Sequence, residues 1–176
     1  MNKQLIVETL QDKHRELINW LENSEDRLWE IGPEDRWTTG QHVQHLLDSL
    51  KMLNKALMIP KFLLRVKYGT ANRSIRSYDE VAKRYREKLA VSQEKAKTFN
   101  KGLKKPSLIE KYKLLKELKD QDNKLIKKLL KMDDKDLDKY LLPHPLMGRM
   151  IFREIIMWTA YHTEHHFEIL KRDYCS

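Results

Sequence analysis

Apolar residues at Leu5, Leu10, Leu17, Ile18 and Leu21 recur near helical spacing and predict a first helix over about residues 2 to 24, ahead of the turn-prone Gly32-Pro33. A second helix is predicted to start at Trp37-Thr38-Thr39-Gly40-Gln41. Thr38 and Gln41 have the spacing of a capping box, in which the hydroxyl satisfies an orphan backbone N–H and the amide reaches back. The apolar stripe Val43, Leu46, Leu47, Leu50 and Leu57 carries this helix to about Ile59-Pro60. Residues 60 to 76 hold Phe62, Leu63, Leu64 and Val66 and then turn polar, so they read as a long connection with about one helical turn. Ser77-x-x-Glu80 and Ser107-x-x-Glu110 repeat the capping-box spacing and place two more helices at about residues 78 to 101 and 107 to 131.

Residues 133 to 142 suggest a short helical turn, Pro143 and Pro145 interrupt it, and Gly148 precedes a last apolar-periodic run from about Ile151 to Lys171. No strand is required, although Lys139-Tyr140-Leu141-Leu142 can form a short extended segment. The expectation is therefore all-α, with five principal helices and a long crossover in one domain over residues 1 to 176. Composition agrees, because five Gly and five Pro leave little material for the tight turns that a sheet protein needs.

The net charge of +9 raises the question of nucleic acid. Thirteen lysines fall between Lys101 and Lys139, but Glu110, Glu117, Asp120, Asp122, Asp133, Asp134, Asp136 and Asp138 are interspersed with them. That mixture is the signature of a solvated helix face, so nucleic acid is not the expected partner. The lone cysteine, Cys175, excludes an intrachain disulfide and fits a reducing, cytoplasmic setting. The N-terminal segment lacks the apolar run of a signal peptide, and no stretch approaches the roughly 18 apolar residues that span a bilayer, so no membrane is expected. Phosphate loops, GxSxG and CxxC elements are all absent from the sequence.

The chemistry concentrates in histidines. His162 and His166 are one turn apart, about 40° around the last helix, on the face shared with Ile155, Trp158, Thr159, Ile169 and Leu170. Two imidazoles on an apolar face are easier to bury around a metal ion than as unpaired polar groups. The pair alone is weak, since core histidines bonded to carbonyls have the same spacing. A third ligand can come from His42 or His45 on the second helix, and geometry does not choose between them. His45 shares a mixed strip with Gln41, Asp48, Ser49 and Met52 that suits a pocket wall, which favours it slightly.

The combination of Trp37-Thr38, His45-Leu46-x-Asp48, His144-Pro145-x-x-Gly148 and His162-x-x-x-His166 resembles the DinB-like superfamily, which includes thiol-dependent transferases. The resemblance implies a four-helix bundle with a long crossover and an additional short helix or turn. It also implies a metal site formed by His45, His162 and His166, with His42 and His165 accessory. Ile151 departs from the pattern, because many relatives have a capping Thr there, while Glu154 keeps the distal half of that motif. His144 matches a turn position, and a structural role beside Pro145 is expected.

Three histidines leave a coordination position open, as in catalytic rather than closed structural sites. One divalent transition metal ion (Zn, Ni, Fe or Mn) there would activate water or a thiol near neutral pH. The expected function is a metal-dependent thiol transferase-like or hydrolase-like enzyme. Its partners would be a small-molecule substrate and a low-molecular-weight thiol, with homodimerisation through an exposed helix face left open. Asp48, roughly on the face of His45, is the candidate helper, orienting a ligand or acting as a base. The alternative is a non-catalytic, metal-stabilised bundle with a stress-related or partner-binding role.

Overall fold

The computed structural model describes residues 1–33, 36–92 and 102–174. Its helices are α1 (Lys3–Asn23), α2 (Arg27–Glu30), α3 (Thr39–Ala56), α4 (Lys61–Tyr68), α5 (Tyr78–Val91), α6 (Lys111–Lys131), α7 (Asp134–Lys139) and α8 (Phe152–Tyr174). Between α7 and α8 run two short strands, β1 (Leu141–His144) and β2 (Gly148–Ile151). The chain is mostly helical, as its periodicity predicts, and the expected helix ends fall within a few residues of those observed except at α5, which stops at Val91 with Ser92 already out of helical geometry, ten residues before the expected end. The last nine residues expected for the third long helix, and Cys175, lie outside the described residues.

Local chemistry starts these helices where the sequence signals it. The Thr38 hydroxyl accepts from Gln41 N–H at 3.2 Å while Gln41 Oε1 accepts from Thr38 N–H at 3.0 Å. Ser77 and Glu80 form the same reciprocal pair. The Ser107 N–H donates to Glu110, and a single 3-10 turn leads into α6. Gly40 sits where α2 crosses the first turn of α3, and a Cβ there would stand 2.9 Å from the Trp29 carbonyl oxygen. Only glycine lets Trp29, almost fully buried, seal this end of α3.

The four long helices pack in a ring, α1 on α8, α8 on α3, α3 on α6 and α6 on α1, around one contiguous core. Inside it, His14 Nδ1 of α1 lies 2.5 Å from Asp122 of α6, a polar pair linking those two helices. Helix α5 covers a further face of α8, so every residue from Ile151 to Ala160 is buried. The two charged groups there find partners. Arg153 reaches Asp134 and Asp138. Glu154, with no exposed surface, receives both guanidinium nitrogens of Arg73 at 2.5 Å and the backbone N–H of Arg76 at 2.9 Å. Burial alone would raise the Glu154 pKa, but the two arginines outweigh it and hold the carboxyl below its ordinary range. Glu154 therefore pins the crossover to α8 rather than completing a cap at position 151.

Three further features depart from the sequence expectation. The 60–76 connection contains a two-turn helix, α4, anchored by buried Leu64. A four-residue helix, α2, precedes Trp37. The short extended segment expected at most around residues 139–142 is instead a hairpin with register Leu141↔Ile151 to His144↔Gly148. Pro143 is tolerated because a two-stranded ladder leaves outward-facing positions that need no donor. Gly148, at φ +73, closes the three-residue turn in a conformation that side chains avoid.

Candidate metal centre

Helices α3 and α8 run antiparallel, with the Tyr174 hydroxyl at the end of α8 donating to the Trp37 carbonyl just before α3. This brings the first turns of α3 against the last turns of α8. His45 Nε2 stands 3.0 Å from His162 Nε2, and His166 Nε2 stands 3.1 Å from the same atom. The ligand atoms of His45, His162 and His166 all lie within 4.8 Å of one another. His162 and His166 are buried, and His45 is partly exposed.

These spacings suit a shared cation. Two nitrogens bonded to zinc at about 2.05 Å are about 2.9 Å apart at a right angle and about 3.3 Å apart at the tetrahedral angle. Hydrogen bonding alone serves the trio poorly. His162 Nε2 carries either one lone pair or one proton, yet it has two nitrogens within hydrogen-bond distance. Three lone pairs directed at one ion remove that conflict.

The surroundings keep the rings neutral, the form that ligates. Burial lowers the pKa of His42 to about 3 and of His45 to about 4, and it pushes His162 and His166 well below the ordinary imidazole value. Neighbouring imidazoles lower His42, His162 and His166 further. Two indoles fix ring planes. Trp37 is stacked with His166 at 4° and 6.0 Å, and Trp158 with His162 at 18° and 4.5 Å. His42 is more than an accessory by proximity, because its Nδ1 lies 2.8 Å from His166 Nδ1. With the proton between them on His166 Nδ1, His166 Nε2 keeps a lone pair to offer a metal.

The histidines line a cavity of about 560 Å³. Around them Trp37, Arg36, Arg172 and Asp173 form one end. Met52, Ala56, Ile59, Tyr68, Leu142 and Ile155 continue the wall along the antiparallel helices toward the other. Tyr85 of α5 adds a buried aromatic edge, with its ring centroid 6.0 Å from that of His162. Tyr85 carries no sequence signal as a site residue, and Trp37 enters the sequence reading only as part of the motif, because the contacts of both rings come from helix packing.

Other expected site residues have different surroundings. Asp48 is exposed, accepts from Gln44 at 2.9 Å and is not part of the cavity wall; its charge only offsets the lowering of the His45 pKa. The Gln41 side chain is committed to the cap of α3. His165 lines the cavity beside Tyr85. Glu164 of α8 pairs with Lys13 at 3.0 Å and accepts from the Tyr78 hydroxyl.

The DinB superfamily matches residues 6–170, and the chain belongs to that superfamily. Neither a curated protein nor a solved structure matches it. Among the described residues no helix is long and apolar enough to cross a membrane.

Proposed function

We propose that the chain is a single-domain four-helix bundle with a long crossover that holds one divalent transition metal, Zn, Ni, Fe or Mn, through His45, His162 and His166. On this reading it is an enzyme of the thiol transferase-like or hydrolase-like type. The observation that carries the reading is the convergence of three neutral imidazoles on the wall of a cavity large enough for a small molecule. When bound, the metal supplies an open coordination position at which water or a thiol becomes nucleophilic near neutral pH.

The chain's own groups supply the rest. His42 holds the His166 tautomer, Trp37 and Trp158 hold the ring planes, and the apolar wall excludes water from the reacting group. A thiol co-substrate also accords with the reducing, cytoplasmic setting expected from the single cysteine. Asp48 would act on His45 through its charge rather than by touching substrate.

The test is metal-dependent consumption of cysteine or glutathione in the presence of a small electrophile such as 1-chloro-2,4-dinitrobenzene, with ester hydrolysis run in parallel. Activity that requires the metal and disappears in His162→Ala supports the enzyme. Stoichiometric metal with neither reaction across a panel of electrophiles and esters favours the non-catalytic, metal-stabilised bundle.

A further inference from the structure

His144 lies outside the three-histidine group, on the hairpin between α7 and α8, and it is buried to all but 8 % of its surface. Its Nδ1 accepts two backbone hydrogen bonds, from Leu146 N–H and Met147 N–H, both at 3.1 Å. Backbone amides can only donate, so Nδ1 carries the lone pair and the neutral ring must carry its proton on Nε2. The hairpin turn thus selects the tautomer. Among the described residues Nε2 makes no hydrogen bond, and His144 is part of the cavity wall.

A second unpartnered donor stands beside it. Trp158 packs edge-on against His144 with ring centroids 4.2 Å apart, and its buried Nε1–H has no hydrogen-bond partner among the described residues. The same indole is stacked with His162. An unpartnered polar group in a buried wall is costly and asks for a partner that the folded chain does not contain.

We propose that His144 presents a fixed Nε2–H to the cavity as the binding group for an uncharged oxygen acceptor, a carbonyl above all, on a substrate whose remaining surface is apolar. The proposal rests on the reading of this cavity as a substrate site and names the class of substrate it takes. An apolar body fits the wall formed by Leu53, Ile59, Leu89, Leu142 and Ile155. A neutral donor one aromatic ring away from His162 orients the carbonyl without the cost of burying a charge. Burial keeps His144 neutral, lowering its pKa to about 4, which accords with an uncharged acceptor.

Two substitutions separate the halves of the ring. In His144→Asn the amide oxygen takes the place of Nδ1 at the turn, but nothing reaches the position of Nε2. In His144→Gln the amide nitrogen reaches the Nε2 position, while the turn contacts are weakened. The probes are acetophenone and ethylbenzene, which differ by the carbonyl oxygen, titrated by NMR into the full-length protein both metal-loaded and after chelation. In His144→Asn acetophenone affinity falls about two- to tenfold, the net worth of one hydrogen bond. Ethylbenzene affinity is unchanged, and His144→Gln retains acetophenone affinity. In the wild type, ring nitrogen shifts report an Nε2–H tautomer whose proton moves downfield with acetophenone. An equal loss for both probes, no loss for acetophenone, no binding of either probe, or an Nδ1–H tautomer overturns the proposal. Because the comparison is repeated without metal, a failure of the metal reading leaves the His144 result readable on its own.

Discussion

His42 and His166 face each other through their Nδ1 atoms, 2.8 Å apart, across the interface of α3 and α8. One of the two nitrogens carries the proton between them. If it is His166, its Nε2 is left with a lone pair aimed at the Nε2 of His162, 3.1 Å away. His42 then acts as a support that sets the tautomer and orientation of a ligand. His42→Ala should therefore weaken metal affinity about 10- to 100-fold without abolishing binding. Competition against a chelator of known affinity measures this, and loss as complete as in His166→Ala would make His42 a ligand instead.

Glu154 joins α8 to the crossover through Arg73 and Arg76. Glu154→Gln leaves two guanidinium groups without their carboxylate at a fully buried position. We expect a loss of stability on the order of 3 kcal/mol, read as a lower urea midpoint. Metal stoichiometry at saturation should be unchanged, because Glu154 is two turns from His162. A midpoint equal to that of the wild type would mean that the pair contributes no net stability.

Gly40→Ala tests the seal between α2 and α3. In an open helix this change stabilises by about 1 kcal/mol. Here the added Cβ meets the Trp29 carbonyl at 2.9 Å and its indole at 3.0 Å. Overpacking should reverse the sign and destabilise by about 1–3 kcal/mol in thermal or urea unfolding. A gain in stability would show that Trp29 moves aside freely.

Acid should destabilise the metal-free protein. His42, His45 and His144 have their pKa values lowered by burial to about 3, 4 and 4, against an ordinary value near 6.5. The unfolded chain binds more protons than the folded one between those values, so stability rises with pH there. Unfolding free energy should thus be highest above about pH 6.5 and fall steadily as the pH drops toward about 4. Urea titrations of chelated protein at a series of pH values read this directly, and His144→Asn should show a shallower fall. A flat profile between pH 6.5 and 4 would contradict neutral, buried imidazoles.

Helix starts were legible because capping boxes are local: Thr38 with Gln41 and Ser77 with Glu80 need only a three-residue spacing. The facing of His162 and His166 was legible for the same reason, through the 3.6-residue turn. The hairpin was not, since Pro143 and Pro145 read as breakers and the ladder depends on Leu141 meeting Ile151 ten residues away. Choosing His45 over His42 was equally beyond periodicity. Both rings reach α8, one to His162 and the other to His166, and only the packing of the two helices assigns which nitrogen meets which. Asp48 shows the limit from the other side, because sharing a helix face with His45 did not carry it into the cavity.

Metal content after reconstitution tests the central claim most directly. Protein incubated with Zn, Ni, Fe or Mn salts, freed of loose ions and measured by elemental analysis should retain about one ion per chain. His45→Ala, His162→Ala and His166→Ala should each lose it while remaining helical by circular dichroism. Retention of no metal by the wild type, or undiminished retention by all three variants, would contradict a three-histidine metal centre.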